Sequence, residues 1–186
     1  CLESIYRQTT EIAFEVLVVD NASGDGSAQM VQRVFPQAKL VENEENVGFA
    51  RACNQGLRRA RGRYIVLLNP DTWLPDDALG QMIAFLDEHP NIGVLGPQIV
   101  GADGILDPRC ARRYPSLRGE LFEKLRLDRR FPRSRLFGGY LMTYWDHKDS
   151  REVCTLSGAC MMIRREVVED VGLLDEDFFM YGEDVD

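Results

Sequence analysis

The stretch from Tyr64 to Asp77 reads YIVLLNPDTWLPDD, and its reading decides the fold. Tyr64 to Leu68 are apolar and largely β-forming, which predicts a strand buried on both faces. The chain then passes abruptly into Asn69-Pro70-Asp71-Thr72, where Pro70 fixes φ and stops the strand. A helix is predicted over PDDALGQMIAFLDEHP, with Pro75 in its first turn and Pro90 closing it. A buried strand that ends by presenting a carboxylate and then enters a helix is half of a βαβ unit.

The same alternation extends in both directions. Upstream, FEVLVVDNAS predicts a strand ending at Asp20, and DGSAQMVQRVF a helix with Ser27 as its cap. AKLVEN predicts a second strand. NVGFARACNQGLRRA sets Phe49, Ala52, Cys53, Gly56, Leu57 and Ala60 on one face of a helix. Downstream, IGVLGPQIV predicts a fourth strand. Strands that are continuous apolar runs, alternating with helices, imply an α/β fold with a mainly parallel sheet flanked by helices. Past Gly101 the alternation breaks. Residues 102–150 read as a loop-rich insertion with one helix, Leu117 to Leu127, and EVCTLSGACMMIRREVVEDVG as a strand pair running into a short helix.

The 186 residues suffice for one domain with a sizeable core, and 45% hydrophobic against 28% charged residues is ordinary for a globular chain. No run of 18 apolar residues is present, so no transmembrane helix is predicted. The net charge of -8 argues against a nucleic-acid partner. That charge is unevenly placed: Arg109 to Arg135 holds ten Lys/Arg against three Asp/Glu, and Arg151 to Asp186 three against ten. The five cysteines form no zinc-like spacing, and scattered thiols in odd number suit a reducing compartment. Both ends read as cut: Cys1 opens in mid-helix, and Asp186 stops inside an acidic cluster.

In a parallel α/β sheet, ligands bind beyond the carboxyl ends of the strands. Asp20 and Asp71 both fall on that edge. Either alone is an ordinary turn former; two on neighbouring strands point to a site. Gly48 lets the backbone approach a ligand closely, and the helix start that follows it favours anionic groups.

The segments VVDNAS, NVGFARACNQG, LLNPDT, SGACMMIRRE and LLDEDFFMYGEDVD, in this order and spacing, resemble the family 2 glycosyltransferases, and most closely their bacterial rhamnosyltransferase branch. The resemblance covers almost the whole chain. It implies a GT-A fold, a nucleoside-diphosphate sugar donor (dTDP- or UDP-linked), a divalent metal (Mg²⁺ or Mn²⁺) and inversion at the anomeric carbon. Under it Asp20, with Asn21, faces the base, where a carboxylate accepts the N3–H of uracil or thymine. Asn46, Gly48 and Asn54 line the nucleotide pocket, and Asn69 meets the ribose. Asp71 ends a reduced DxD-like motif and holds metal and diphosphate. Asp184 is the base that deprotonates the acceptor, with Glu183 positioning it. Ser157, Gly158, Ala159 and Asp175 lie on the acceptor and sugar side.

The expected organisation is a single catalytic domain over 1–186, truncated at both ends: a nucleotide-binding half at 1–101, the insertion at 102–150 and an acceptor half at 151–186. The resemblance also implies a strand before Cys1. Without that central strand the isolated 186 residues are expected to be unstable and inactive. The expected acceptor is a glycan or a polyprenyl-diphosphate-linked glycan of a cell-surface polysaccharide, met in the cytoplasm or at the inner face of the membrane. There the basic, aromatic stretch from Arg109 to Trp145 would contact acceptor or membrane. Two alternatives stay open. A nucleotidyltransferase shares the sheet, but its Gly-rich, basic phosphate loop after the first strand is missing. A non-catalytic nucleotide-sugar-binding domain would have no use for the Glu183-Asp184 pair.

Overall fold

The computed structural model describes residues 1–183. They form two compact units: Cys1–Leu95 with the segment from Met162 on, and Gly96–Met161.

The first unit opens with α1 (Leu2–Gln8). Its Ser4, fully buried, donates to the Cys1 carbonyl at 2.7 Å and accepts from the Leu74 N–H at 3.1 Å. Tyr6 stacks on Phe35 with ring centroids 5.9 Å apart. Then follow β1 (Leu17–Asp20), α2 (Ser27–Val34), β2 (Lys39–Glu42), α3 (Phe49–Arg59), β3 (Tyr64–Leu68), α4 (Ala78–Glu88) and β4 (Val94–Leu95). The alternation read from the sequence is therefore present, element for element. Its core gathers Ile5, Val31, Ala50, Leu57, Ile65, Leu74, Met82 and Leu86, with Leu86 fully enclosed.

Strand order departs from the expectation of one sheet of successive parallel strands. β1 and β2 are parallel, Leu17 opposite Lys39 through Asp20 opposite Glu42, and form a sheet of two. β3 and β4 are not neighbours. The later strand β7 (Cys160–Arg164) lies between them, and its Met162 and Ile163 pair antiparallel with Leu95 and Val94. Arg164, at its end, explains how β7 is held there. Its guanidinium donates to the carbonyls of Ile92 (2.7 Å), His89 (3.2 Å) and Leu86, and to the Tyr64 hydroxyl (3.1 Å). The carbonyls at the end of α4, Leu86 and His89, which already accept the N–H groups of His89 and Ile92, thus gain a cation on their remaining lone pairs, which also suits the helix dipole. Arg165, opening α7 (Arg165–Val171), does the same for Ala60 and Gly62 behind α3.

Three local expectations are corrected. Ser27 is the first residue of α2 and not its cap: Gly26 caps it at φ +86°, and Asp25 accepts the Ser27 N–H at 3.0 Å. Pro75 precedes α4, whose cap is Asp77, accepting from the Gly80 N–H at 3.3 Å. On α3 the buried positions are Ala50, Asn54 and Leu57, a stripe rotated from the expected one because the polar Asn54 is a core residue.

The second unit holds a bridge between Val100 and Leu106, a 3₁₀ turn at Pro108–Cys110, β5 (Ala111–Arg112), α5 (Leu117–Lys124), α6 (Leu127–Arg130) and β6 (Thr155–Leu156). β5 pairs antiparallel with β6, so β6 and β7 are not the strand pair that their sequence suggests. Phe137 meets Phe122 at 5.1 Å and Phe131 at 5.3 Å, which ties α5 and the end of α6 to the loop behind them.

Candidate active site

The ends of β1 and β2 are joined by amides. Asp20 is the buried last residue of β1. Its Oδ2 accepts the Ser23 N–H at 3.0 Å, an Asx turn, and its carbonyl accepts the Asn43 N–H at 2.9 Å. Oδ1 has no partner among the described residues. Asn21 spends its whole side chain on the loop after β2. Oδ1 accepts from Asn43 Nδ2 (3.1 Å) and the Val47 N–H (3.0 Å), and Nδ2 donates to Asn46 Oδ1 (2.8 Å) and the Gly48 carbonyl (3.3 Å). Asn46 Oδ1 in turn accepts the Gly48 N–H at 3.0 Å. Asn21, Asn46 and Gly48 therefore form one cluster beside Asp20. Asn43, and Gln55 donating to it at 2.9 Å, complete the cluster and were not singled out from the sequence. The available signal was a pair of asparagines three apart, directly after a strand.

Gly48 sits at φ +89°, and a Cβ there would meet the Phe179 carbonyl at 2.9 Å. That carbonyl accepts the Phe49 N–H at 2.7 Å. The contact belongs to a longer one, because the segment after α7 runs along α3. Asn54, wholly enclosed, donates to the Leu174 carbonyl (2.8 Å) and Glu176 Oε1 (3.0 Å), and accepts the Leu174 N–H (3.0 Å). Arg58 bonds the same Glu176 oxygen at 2.9 Å, and Arg51 approaches its other oxygen at 3.6 Å. Hydrogen bonds from Asn54 and then Arg58 hold the Glu176 carboxyl below its ordinary range. Asp175 Oδ1 accepts the Asp177 N–H at 2.9 Å, which shapes the exposed turn.

Asn54 was expected to line the nucleotide pocket; the structure shows its amide enclosed and committed to the 174–176 turn. The same helix face carries Cys53, whose thiol is pushed up to about 11, first by burial and then by the negative charge of Glu183. Glu183 has its Oε2 buried with no hydrogen-bond partner among the described residues. An unpaired carboxylate oxygen is costly to bury, and it is the kind of atom a bound hydroxyl would satisfy. Asp184, the expected base, lies outside the described residues.

Asn69 and Asp71 stand apart from these clusters. Thr72 donates to the Asn69 carbonyl through N–H (3.2 Å) and Oγ1 (2.8 Å), closing the turn that holds Asp71 outward. Asp71 is exposed, with no described residue bonded to its carboxylate. No group of three His, Cys, Asp or Glu able to hold a metal occurs among the described residues. One free hard-oxygen ligand fits a divalent ion that shares its other ligands with a diphosphate, and does not fit an all-protein cage.

Ser157, Gly158 and Ala159 belong to the second unit. Ser157 accepts the Ala159 N–H at 3.2 Å and donates its own N–H to the Cys110 carbonyl at 3.2 Å.

Strands wrapped by helices, with asparagine-tied loops and a buried carboxylate at their carboxyl ends, define an α/β domain with the GT-A fold. The chain belongs to Glycosyl transferase family 2, whose pattern matches residues 1–172. It is 31% identical to the N-acetylglucosaminyl-diphospho-decaprenol L-rhamnosyltransferase of Mycobacterium tuberculosis over 95% of this chain and 60% of that one. It is 27% identical to a poly-beta-1,6-N-acetyl-D-glucosamine synthase of Staphylococcus aureus over 92% of this chain and 37% of that one. Among solved structures it resembles a mannosyltransferase from Pyrobaculum calidifontis in complex with GDP-Man and Mn²⁺ (25% identical, TM-score 0.60, covering 95% of this chain and 43% of that one). S. aureus TarS in complex with UDP, at 22% identity and TM-score 0.64 over 99% of this chain and 47% of that one, shares the fold. The chain thus spans some three fifths or less of the length of these relatives.

Proposed function

We propose that this domain transfers a sugar, with inversion, from a nucleoside-diphosphate donor to a glycan or polyprenyl-diphosphate-linked acceptor of a cell-surface polysaccharide. The donor we favour is dTDP-rhamnose, on the strength of the rhamnosyltransferase relative. The observation that carries the reading is Asp20: a buried carboxylate with one oxygen anchored on Ser23, at the carboxyl edge, beside a loop fixed by Asn21. Such a group discriminates a base that offers an N–H from one that does not.

Each remaining residue has a task in this account. Asn21, Asn43 and Asn46 hold the backbone around the nucleotide in place before it arrives. Asp71 would hold the divalent cation, Mg²⁺ or Mn²⁺, which when bound neutralises the charge developing on the departing diphosphate. Glu183 offers its unpaired oxygen to the acceptor hydroxyl, and Asp184 takes the proton from that hydroxyl as it attacks opposite the leaving group.

The test is transfer from dTDP-rhamnose to a lipid-diphosphate-linked N-acetylglucosamine by the full-length protein. Asp184→Asn should lower turnover by on the order of 10²–10⁴-fold while leaving dTDP affinity intact. Full turnover in that variant would remove Asp184 from the mechanism. Tight dTDP binding without turnover on any sugar would favour a non-catalytic role.

A further inference from the structure

Exposed leucines and arginines coincide in the second unit. Leu117, Leu121 and Leu125 recur every four residues along α5 and its end, and are 89%, 52% and 60% exposed. Residues four apart lie one above the other on a helix, so the three form an apolar stripe. Tyr114, Phe131 and Leu136 are exposed large hydrophobics of the same segment. Tyr114 and Leu136 line a cavity of about 380 Å³ with Arg113, Arg118 and Tyr140. Around the stripe, Arg118, Lys124, Arg126, Arg129, Arg130, Arg133 and Arg135 are all exposed.

The charge is as localised as the apolar surface. Arg109 to Arg135 carries ten basic and three acidic residues, a net +7, on a chain of net -8; the rest is therefore -15. One of the three acids, Asp128, is buried and does not face the surroundings. A nucleic acid would want the cations without the leucines. A bilayer takes both: apolar side chains enter the boundary between headgroups and acyl chains, and cations meet anionic headgroups. No helix among the described residues is long and apolar enough to cross a membrane, so the contact is with one face.

We infer that the segment from Tyr114 to Leu136 docks the domain onto an anionic lipid bilayer, the leucine stripe of α5 inserted and the arginines of α6 and the following loop on lipid phosphates. The inference goes beyond the transfer reaction and does not depend on the donor site.

The test uses the full-length protein with vesicles of phosphatidylcholine, with and without phosphatidylglycerol. The substitutions Arg129→Gln, Arg130→Gln and Arg133→Gln together should weaken binding to the anionic vesicles by on the order of 100-fold, about fivefold per charge, and added salt should do likewise. Insertion is read directly, so that an anchor elsewhere in the protein cannot mask it. In a Cys154→Ser background, a bimane on Leu121→Cys should be quenched by brominated lipid in vesicles that contain phosphatidylglycerol, and not in vesicles of phosphatidylcholine alone. Transfer to a soluble acceptor should be unchanged by the arginine substitutions, which separates this surface from the active site. Unquenched label at Leu121, or vesicle binding indifferent to the three arginines, would overturn the inference. So would a smaller particle mass on substituting the three leucines with serine, since the stripe would then be a subunit interface.

Discussion

Asn21 accepts two hydrogen bonds and donates two, all to the loop after β2. Replacing it with alanine orphans the Val47 N–H and frees Asn43 and Asn46. We expect a loss of about 1–2 kcal/mol of stability, seen in thermal melts, together with weaker nucleotide binding in titration. Gly48 is constrained twice, by φ +89° and by the Phe179 carbonyl 2.9 Å from any Cβ. Gly48→Ala should cost roughly 2 kcal/mol or more, measured by denaturant unfolding. The thiols give a further expectation. Cys53 and Cys160 are pushed up to about 11 by burial, whereas Cys154 is exposed. A thiol whose pKa is raised stays neutral and unreactive, so iodoacetamide near neutral pH should label Cys154 first, and mass spectrometry would show it. At this scale the sequence announced Asp20 and Asp71 by their place after apolar runs. It could not announce Asn43 or Gln55, because amide side chains reveal a hydrogen-bonded cluster only once two loops are brought together.

Among the elements, α3 joins the largest number of site residues. Gly48 and Phe49 meet Phe179, Asn54 holds Leu174 and Glu176, and Arg58 reaches Glu176. Asn54→Ala leaves a backbone N–H and a carbonyl of Leu174 unpaired in the interior. It should destabilise by about 2–3 kcal/mol and expose the chain beyond Leu173 to proteolysis, readable as a new cleavage site. The Glu176 tie is pH-dependent with a definite sign. Its folded pKa lies below the ordinary 4.5, so its contribution is present above that value and fades as pH falls through the depressed range beneath it. The protection factor of the Leu174 amide, its exchange rate set against the intrinsic rate at the same pH, should therefore fall in acid, and Glu176→Gln should remove that pH dependence. The type of each strand and helix from β1 to β4 was legible because apolar runs and 3.6-residue periods are local properties, whereas in the second unit the single helix expected at Leu117 to Leu127 is two, α5 and α6, and β5 was not foreseen. Strand order was not: β7 reaches its place between β3 and β4 through Arg164, a single residue acting on α4 from 75 or more positions away in sequence. The rotated stripe of α3 has the same origin, since a buried Asn54 reads as polar until its partners at Leu174 and Glu176 are known.

For the molecule as a whole, the organisation follows from where the chain buries its carboxylates and where it leaves its arginines. The first unit carries the asparagine cluster, Asp20, Asp71 and the approach to Glu183, and the second carries the basic, leucine-bearing surface. The family was legible from five short segments in register. The division into Cys1–Leu95 with the segment from Met162, and Gly96–Met161, follows from the late return of β7 to the first unit; the break in alternation past Gly101 and the change from basic to acidic composition after residue 150 lie near these bounds without giving them. The central claim is that the carboxyl edge of the first unit binds a nucleoside diphosphate with its metal. It is tested most directly by calorimetric titration of dTDP and UDP into the full-length protein, with and without Mn²⁺. Binding should need Mn²⁺, prefer one of these nucleotides, and be lost in Asp71→Asn while that variant melts like the parent. A well-folded protein that binds neither nucleotide, or binds them equally well without metal and in Asp71→Asn, would contradict it.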